Sequence, residues 1–320
     1  MEQKHTAIAS IGEFALIDRI KDIVGVRVDD ASLHDQLQLG ISDDAAVFRP
    51  TPGKAQLLTT DAFAEGVHFD LTFTSLRHLG WKVMAASFSD IAAMGGLPRY
   101  AAITLCLPQK ISVEMVEELY SGIVHACKKY SCLVIGGDTT ASSGNTFISA
   151  TVIGEAEESK VIRRSGARSG DYICVTGHLG ASLAGLQILL REKKRFAGVR
   201  EPSGFNPDLE QYSFAIEKHL IPRPRLDLVR TLTEQITINA MIDISDGLAS
   251  EVHHLCNSSG EEYELLFTLT DAEFAKLDRL TDDVTIIGRV TGKETGVQLI
   301  RENGEHEILH FGGWDHFKHR

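Results

Sequence analysis

Seven aspartates stand beside Gly, Ser or Thr at the ends of apolar runs. They are Asp43 and Asp44 in GISDDAAVF, Asp61 in LLTTDAF, Asp90 in FSDIAAMGG, Asp138 in LVIGGDTT, and Asp243 and Asp246 in MIDISDGL. A carboxylate at a strand end leaves the sheet and enters a loop, where it is free to bind. One such aspartate is accounted for as an N-cap or turn residue; seven in one sequence context ask for more. Carboxylates that converge repel one another, and a hard divalent cation with oxygen ligands relieves the repulsion. The chemistry this pattern points to is Mg²⁺-dependent handling of phosphates. Thr59 and Thr60 add hydroxyls immediately before Asp61, and Ser245 stands between Asp243 and Asp246.

Other residues could join such a site, each with a plainer explanation beside it. Gly136-Gly137-Asp138 follows a short apolar run; its glycines would let backbone N–H groups approach a phosphate, and a tight turn explains them equally well. Neither a Walker A sequence nor GxGxxG is present. His68 follows Asp61 by seven residues and could contact a substrate, although a surface or core role explains a lone histidine. Arg163 and Arg164 could face an anion or be solvated linker charges. Tyr120 falls on the apolar face of a helix, which is a core position first. Trp314, in GGWDHF, lies between glycines and charges and could stack on a planar ring.

The elements that must position these residues read as a mixture of helices and strands in both halves, without strict βαβ alternation. Helical spacing predicts helices over 12–23, 75–94, 112–130 and 179–191, one after Pro222-Arg223-Pro224-Arg225, and one over 246–256. Strands are expected at 45–49, 56–60, 99–107, 132–135, 146–153, 172–176, 240–244, 263–269, 284–290, 297–301 and 308–311. The Gly136–Asp138 segment reads as a turn and 192–207 as an exposed loop. A polar stretch at 155–170 marks a boundary, giving domains 1–155 and 156–320.

At 320 residues the chain exceeds the usual size of a single core. Apolar content of 43% and charged content of 24% are ordinary for a soluble globular protein. The net charge of −12 argues against nucleic acid or an anionic membrane as partner. Five scattered cysteines form no CxxC pair. No signal-peptide h-region or run of about 20 apolar residues is present, so a cytoplasmic protein is expected.

Taken together, GEF (12–14), GISDDAAVF, TTDAFAEGVHF, SDIAAMGG, IGGDTT, RRSGARSGD, the Pro-Arg-Pro-Arg run, IDISDGL, GEEYELLF and GGWDHF occur in an order that resembles the thiamine-monophosphate kinase family. That family lies within the superfamily of aminoimidazole ribonucleotide synthetase and selenophosphate synthetase. The resemblance spans nearly the whole chain. It implies an α/β (α+β type) fold of two domains, the N-terminal one binding ATP and metal and forming a dimeric β-barrel with its copy, the C-terminal one α/β. It implies ATP-dependent phosphorylation of thiamine phosphate to thiamine diphosphate by direct in-line γ-phosphoryl transfer, with several Mg²⁺ ions in a homodimer. Carried over by motif, Asp44, Thr59, Thr60, Asp61, Asp90, Asp138, Asp243 and Asp246 hold metal, and Asp44 and Asp246 are catalytic. Tyr120, Gly137, Arg164 and Ser245 contact ATP; His68, Glu261 and Trp314 address thiamine phosphate. Departures from the family pattern are Ser87 where Asn is frequent, no acidic residue in Gly180-Ala181-Ser182, and a short connection from Cys256 to Glu261. Alternatives of another class are a metal-dependent phosphohydrolase and a nucleotide-binding protein without turnover.

Overall fold

A computed structural model describes residues 5–25, 28–198, 207–248, 251–252, 260–292 and 296–309; the side chains of Asp246 and Glu261 lie outside that description. Trp314 and the 253–259 connection lie outside the described residues altogether. In chain order the elements are α1 (Ile8–Ile11), α2 (Glu13–Val24), α3 (Ala31–Gln36), β1 (Leu37–Leu39), β2 (Val47–Phe48), β3 (Lys54–Ala64), α4 (Leu76–Ala93), β4 (Leu97–Leu107), α5 (Val113–Tyr130), β5 (Leu133–Ala141) and β6 (Phe147–Glu157). They continue with β7 (Tyr172–Thr176), α6 (Ala181–Ala197), α7 (Ser213–Leu220), α8 (Leu226–Gln235), β8 (Ala240–Asp246), β9 (Gly260–Leu269), α9 (Asp271–Leu277), β10 (Val284–Arg289), β11 (Gln298–Ile300) and β12 (His306–Ile308).

The first half builds an open four-stranded sheet in the order β3-β6-β4-β5, with β4 and β5 parallel and the other pairs antiparallel. Alternation along β3 and β6 gives it two unlike faces. Leu57, Thr59, Asp61 and Phe63 share the inner face with Ile148, Ala150 and Val152, which are fully buried. Leu58 and Thr60 share the outer face with Ile153 and Thr151, and Leu58 is 73% exposed there. The second half builds an antiparallel sheet in the order β10-β7-β9-β8.

Helix α4 joins the two. Its sequence is apolar on nearly every side, and a helix of that kind must be buried. Only Asp90 of its last two turns before Ala93 is less than fully covered, and even Lys82, Ser87 and Ser89 are buried. It begins at an N-cap, Ser75, whose hydroxyl accepts from His78 N at 3.2 Å. One flank meets α5 at a contact made by glycines. A Cβ on Gly80 would lie 2.0 Å from the Leu119 carbonyl oxygen, and one on Gly122 would lie 2.0 Å from that of Arg77. The other flank meets β8 and β9, and Trp81 Nε1 donates to the Pro222 carbonyl at 2.6 Å. One hydrophobic core therefore runs through both halves, from Leu16 and Val83 to Leu265 and Phe267.

Several expectations need correction. Asp61, Asp138 and Asp243 lie within β3, β5 and β8 rather than at strand ends, Asp90 lies in α4, and Asp246 ends β8 rather than starting a helix. Gly136-Gly137-Asp138 is no turn: it lies inside β5, paired in parallel with Ala102, Ile103 and Thr104. Gly137 is required there because a Cβ would lie 2.0 Å from the Ile103 carbonyl oxygen. Helix α6 extends to Ala197 into the expected loop, since Glu192 is buried and paired with Arg191 and Arg195, both at 2.8 Å. The expected strand at 45–49 shrinks to Val47–Phe48, because Ala45 belongs to the turn that displays Asp43 and Asp44. No helix among the described residues is long and apolar enough to cross a membrane.

Candidate active site

Three of the aspartates meet where α4 passes between the two sheets. Asp61 arrives on the inner face of β3, Asp90 from the last turn of α4, and Asp243 from the middle of β8. Each is held by hydroxyls. Ser87 Oγ donates to Asp61 Oδ2 at 2.5 Å, and Thr59 Oγ1 donates to Asp90 Oδ2. Ser87 and Asp90 are three apart on α4, so one helix face serves both carboxylates.

The electrostatics are those of like charges brought together away from water. Burial raises the Asp61 pKa, with the Ser87 hydroxyl offsetting part of the effect. Burial and then the Asp61 charge raise Asp90 to about 6, against the Thr59 hydrogen bond and the Arg164 charge. Asp243, 6% exposed, is raised to about 8, first by burial and then by Asp90, with Ser89 opposing and Asp61 adding to the rise. Ser89 lies near enough to act on Asp243 without a well-directed hydrogen bond, because Ser89 Oγ and Asp243 Oδ2 are both buried without a partner. Among the described residues no three of His, Cys, Asp or Glu close on one point as a finished metal cage. The donors are nonetheless all carboxylate and hydroxyl oxygens, and the orphaned Asp243 oxygen is an open acceptor. Both features fit a hard cation such as Mg²⁺.

Arg164 is brought to this cluster by a glycine. Residues Arg164–Gly166 form a 3₁₀ turn against β8, with Met241 N donating to the Arg163 carbonyl at 3.4 Å. A Cβ on Gly166 would lie 1.8 Å from the Asn239 carbonyl oxygen, so only glycine permits that approach. Ser245 follows Asp243 by two residues on β8, and its N–H donates to the buried Glu251 at 3.2 Å.

The other candidates stand apart. Thr60 and Asp138 belong to the outer face of the first sheet, on the register line Thr60–Thr151 and the line Thr104–Asp138. Thr60 Oγ1 there bonds to Thr151 Oγ1 at 3.0 Å. Asp44 is exposed in the β1–β2 turn, its N–H donating to Asp43 Oδ1 at 2.9 Å. His68 is half-buried beyond β3, its Nδ1 accepting from Ala64 N at 3.0 Å. Tyr120 is buried in the core with α5. The backbones of Asp246 and Glu261 lie at the paired ends of β8 and β9, where Ser245 opposes Glu261 and Asp246 opposes Gly260.

Residues 42–156 match the family model for AIR synthase related protein, N-terminal domain. The thiamine-monophosphate kinase of Aquifex aeolicus (strain VF5) is 38% identical, covering 81% of this chain and 74% of its own length. That of Bacillus subtilis (strain 168) is 30% identical, covering 89% of this chain and 95% of its own. The chain belongs to the thiamine-monophosphate kinase family. The solved structure of AaThiL complexed with AMPPCP and TMP is similar over 99% of this chain and 100% of its own, with 31% identity and a TM-score of 0.67.

Two departures from the thiamine-monophosphate kinase pattern have structural counterparts. Ser87 supplies the hydroxyl that holds Asp61. The start of α6, without an acidic residue of its own, is met by Glu262 from β9, whose carboxylate accepts from Gly180 N at 3.1 Å and faces the positive helix end. Ser87, Ser89 and Glu251 were not singled out as site residues by spacing. For Ser87 the available signal is a polar residue three positions before Asp90 inside an otherwise apolar helix; Ser89 and Glu251 carry no such spacing.

Proposed function

We propose that this chain transfers the γ-phosphoryl group of ATP to thiamine phosphate, giving thiamine diphosphate and ADP. The observation that carries the reading is the convergence of Asp61, Asp90 and Asp243 beside Arg164, in a chain whose relative binds AMPPCP and TMP. A protein of net charge −12 needs local neutralisation to accept two polyanions. Bound Mg²⁺ would supply it by neutralising charge on the transferred group. Asp61, Asp90 and Asp243 would hold metal on the inner face. Asp44, Thr59, Thr60, Asp138 and Asp246 join the metal set by motif.

The chain's own residues do the rest by placement. Thr59 and Ser87 fix the carboxylate rotamers, so the acidic cluster is ordered before substrate arrives. The charge of Arg164 acts on Asp90 and suits a phosphate oxygen. Gly137, Ser245 and Tyr120 are assigned to the nucleotide and His68, Glu261 and Trp314 to thiamine phosphate. For Tyr120, whose ring is buried and which lies outside a tight motif, that assignment rests on its position in the family resemblance alone. We divide the chain into a domain over 1–155, binding ATP and metal, and an α/β domain over 156–320. The open outer face bearing Leu58 is where a second copy would pair into the shared barrel; a monomer in sedimentation would contradict this.

Asp44→Asn and Asp246→Asn test the carboxylate assignment. Each should lower kcat at least about 100-fold, the scale of losing one preorganised electrostatic contact, with an unchanged circular dichroism spectrum. Turnover close to wild type in both variants would remove Asp44 and Asp246 from the metal set.

A further inference from the structure

The GEEYELLF segment forms a bulged strand whose irregularity lies next to the site. In the β8–β9 ladder Ile244 opposes Glu264, but the next residue, Ser245, opposes Glu261. One step on β8 thus matches three on β9, and Glu262 and Tyr263 are the extra residues. Tyr263 takes φ +54, a left-handed conformation that side chains other than Gly, Asn or Asp rarely adopt, and it is buried in the main core. Such a conformation persists only where its surroundings impose it.

The surroundings here are a buried ion cluster. Glu264, 2% exposed, accepts from Thr176 Oγ1 at 2.7 Å, Lys218 Nζ at 2.9 Å, and Arg225 Nε and Nη2 at 2.5 and 2.8 Å. The Arg225 fork continues to Asp283 Oδ2 at 2.6 Å. Burial alone would raise the Glu264 pKa; Arg225, Thr176 and Lys218 outweigh it and hold the carboxyl below its ordinary value. Gly177 closes the cluster at φ +56, where a Cβ would lie 1.9 Å from Arg225 Nη2 and 2.4 Å from Glu264 Oε1. On the other side of Tyr263, Glu262 is tied to Gly180 N. The bulge is therefore fastened at both ends, to β7, α7 and the Pro-Arg-Pro-Arg run on one side and to the start of α6 on the other.

We propose that Glu264, Lys218 and Arg225 are positioning residues that lock this bulge and thereby set Glu261 opposite Ser245, fixing the acceptor end of the site. The proposal rests on the kinase reading above. Ser245, on β8, is held separately through its N–H to Glu251, whereas Glu261, on β9, depends on the bulge for its register. Loss of the three should therefore act on thiamine phosphate more than on ATP. A cluster that served only stability would impair both substrates together.

Steady-state kinetics on the full chain decide it. Glu264→Gln keeps size and removes the charge that holds both cations. It should raise the KM for thiamine phosphate about tenfold, as expected for one lost charge-assisted anchor, and leave the KM for ATP within about twofold. Lys218→Met, at the less buried edge of the cluster, should give the same split more weakly and serves if Glu264→Gln does not fold. Equal rises in both KM values, or no rise in either, would overturn the positioning role. A wild-type chain that fails to phosphorylate thiamine phosphate would overturn the kinase reading and the acceptor assignment with it.

Discussion

Asp243 carries the sharpest conflict between stability and function at the level of single residues. Its carboxyl is buried beside Asp90 and Asp61 and raised to about 8. A folded-state pKa above the unfolded value means that the folded state keeps its proton where the unfolded state has lost it. The metal-free protein therefore loses stability as pH rises from about 4 toward 8 through this group. Other groups run the opposite way: His219, buried beside Lys82, is lowered to about 3, so its contribution rises with pH up to the histidine range. A comparison of wild type with Asp243→Asn isolates the aspartate. In chelator-treated protein the variant should gain on wild type as pH rises from 5 to 8, reaching about 1–3 kcal/mol. Urea unfolding at both values measures it. A gap independent of pH would mean that Asp243 is not held against its neighbours' charge. The same variant should be inactive, since it removes a carboxylate proposed to hold metal.

The elements show where sequence patterning reaches and where it stops. The glycine contact of α4 with α5 is a prediction at this scale. Gly122→Ala would drive a methyl group into the Arg77 carbonyl and should cost about 1–3 kcal/mol. An unchanged denaturation midpoint would contradict the close approach of the two helices. Helix α5 was legible because Val113, Val116, Tyr120, Ile123 and Cys127 repeat at helical spacing and are buried together. The strand nature of Gly136–Asp138 was not legible, because two glycines before an aspartate are also the signature of a turn. What decides the matter is the parallel partner β4, more than thirty residues away in sequence. The end of α6 was missed for a similar reason: Glu192 looks like a solvated charge until Arg191 and Arg195 enclose it. The bulge at Tyr263 leaves no trace in local composition, since its cause is the distant cluster of Arg225, Lys218 and Thr176 around Glu264.

Across the whole molecule, the site is a product of the junction between halves. Asp61 and Asp90 come from the first sheet and its helix, and Asp243 and Arg164 from the second half, so neither half alone assembles the cluster. Every one of these residues could be named from motif order, because the three aspartates near Ser and Thr, and Arg164 in RRSG, keep a recognisable sequence context, although Asp61 and Asp243 lie within strands and Asp90 within a helix. Their sorting onto two faces of the first sheet could not, because adjacent residues such as Thr60 and Asp61 part company only once the strand is formed. The central claim is that this junction transfers phosphate between two phosphorylated substrates. The measurement that tests it most directly is a product assay with ATP, Mg²⁺ and thiamine phosphate, in which ADP and thiamine diphosphate are quantified by chromatography. Equal amounts of both products, abolished by chelator, are the predicted result; ADP formed without thiamine diphosphate, or no product at all, would contradict it.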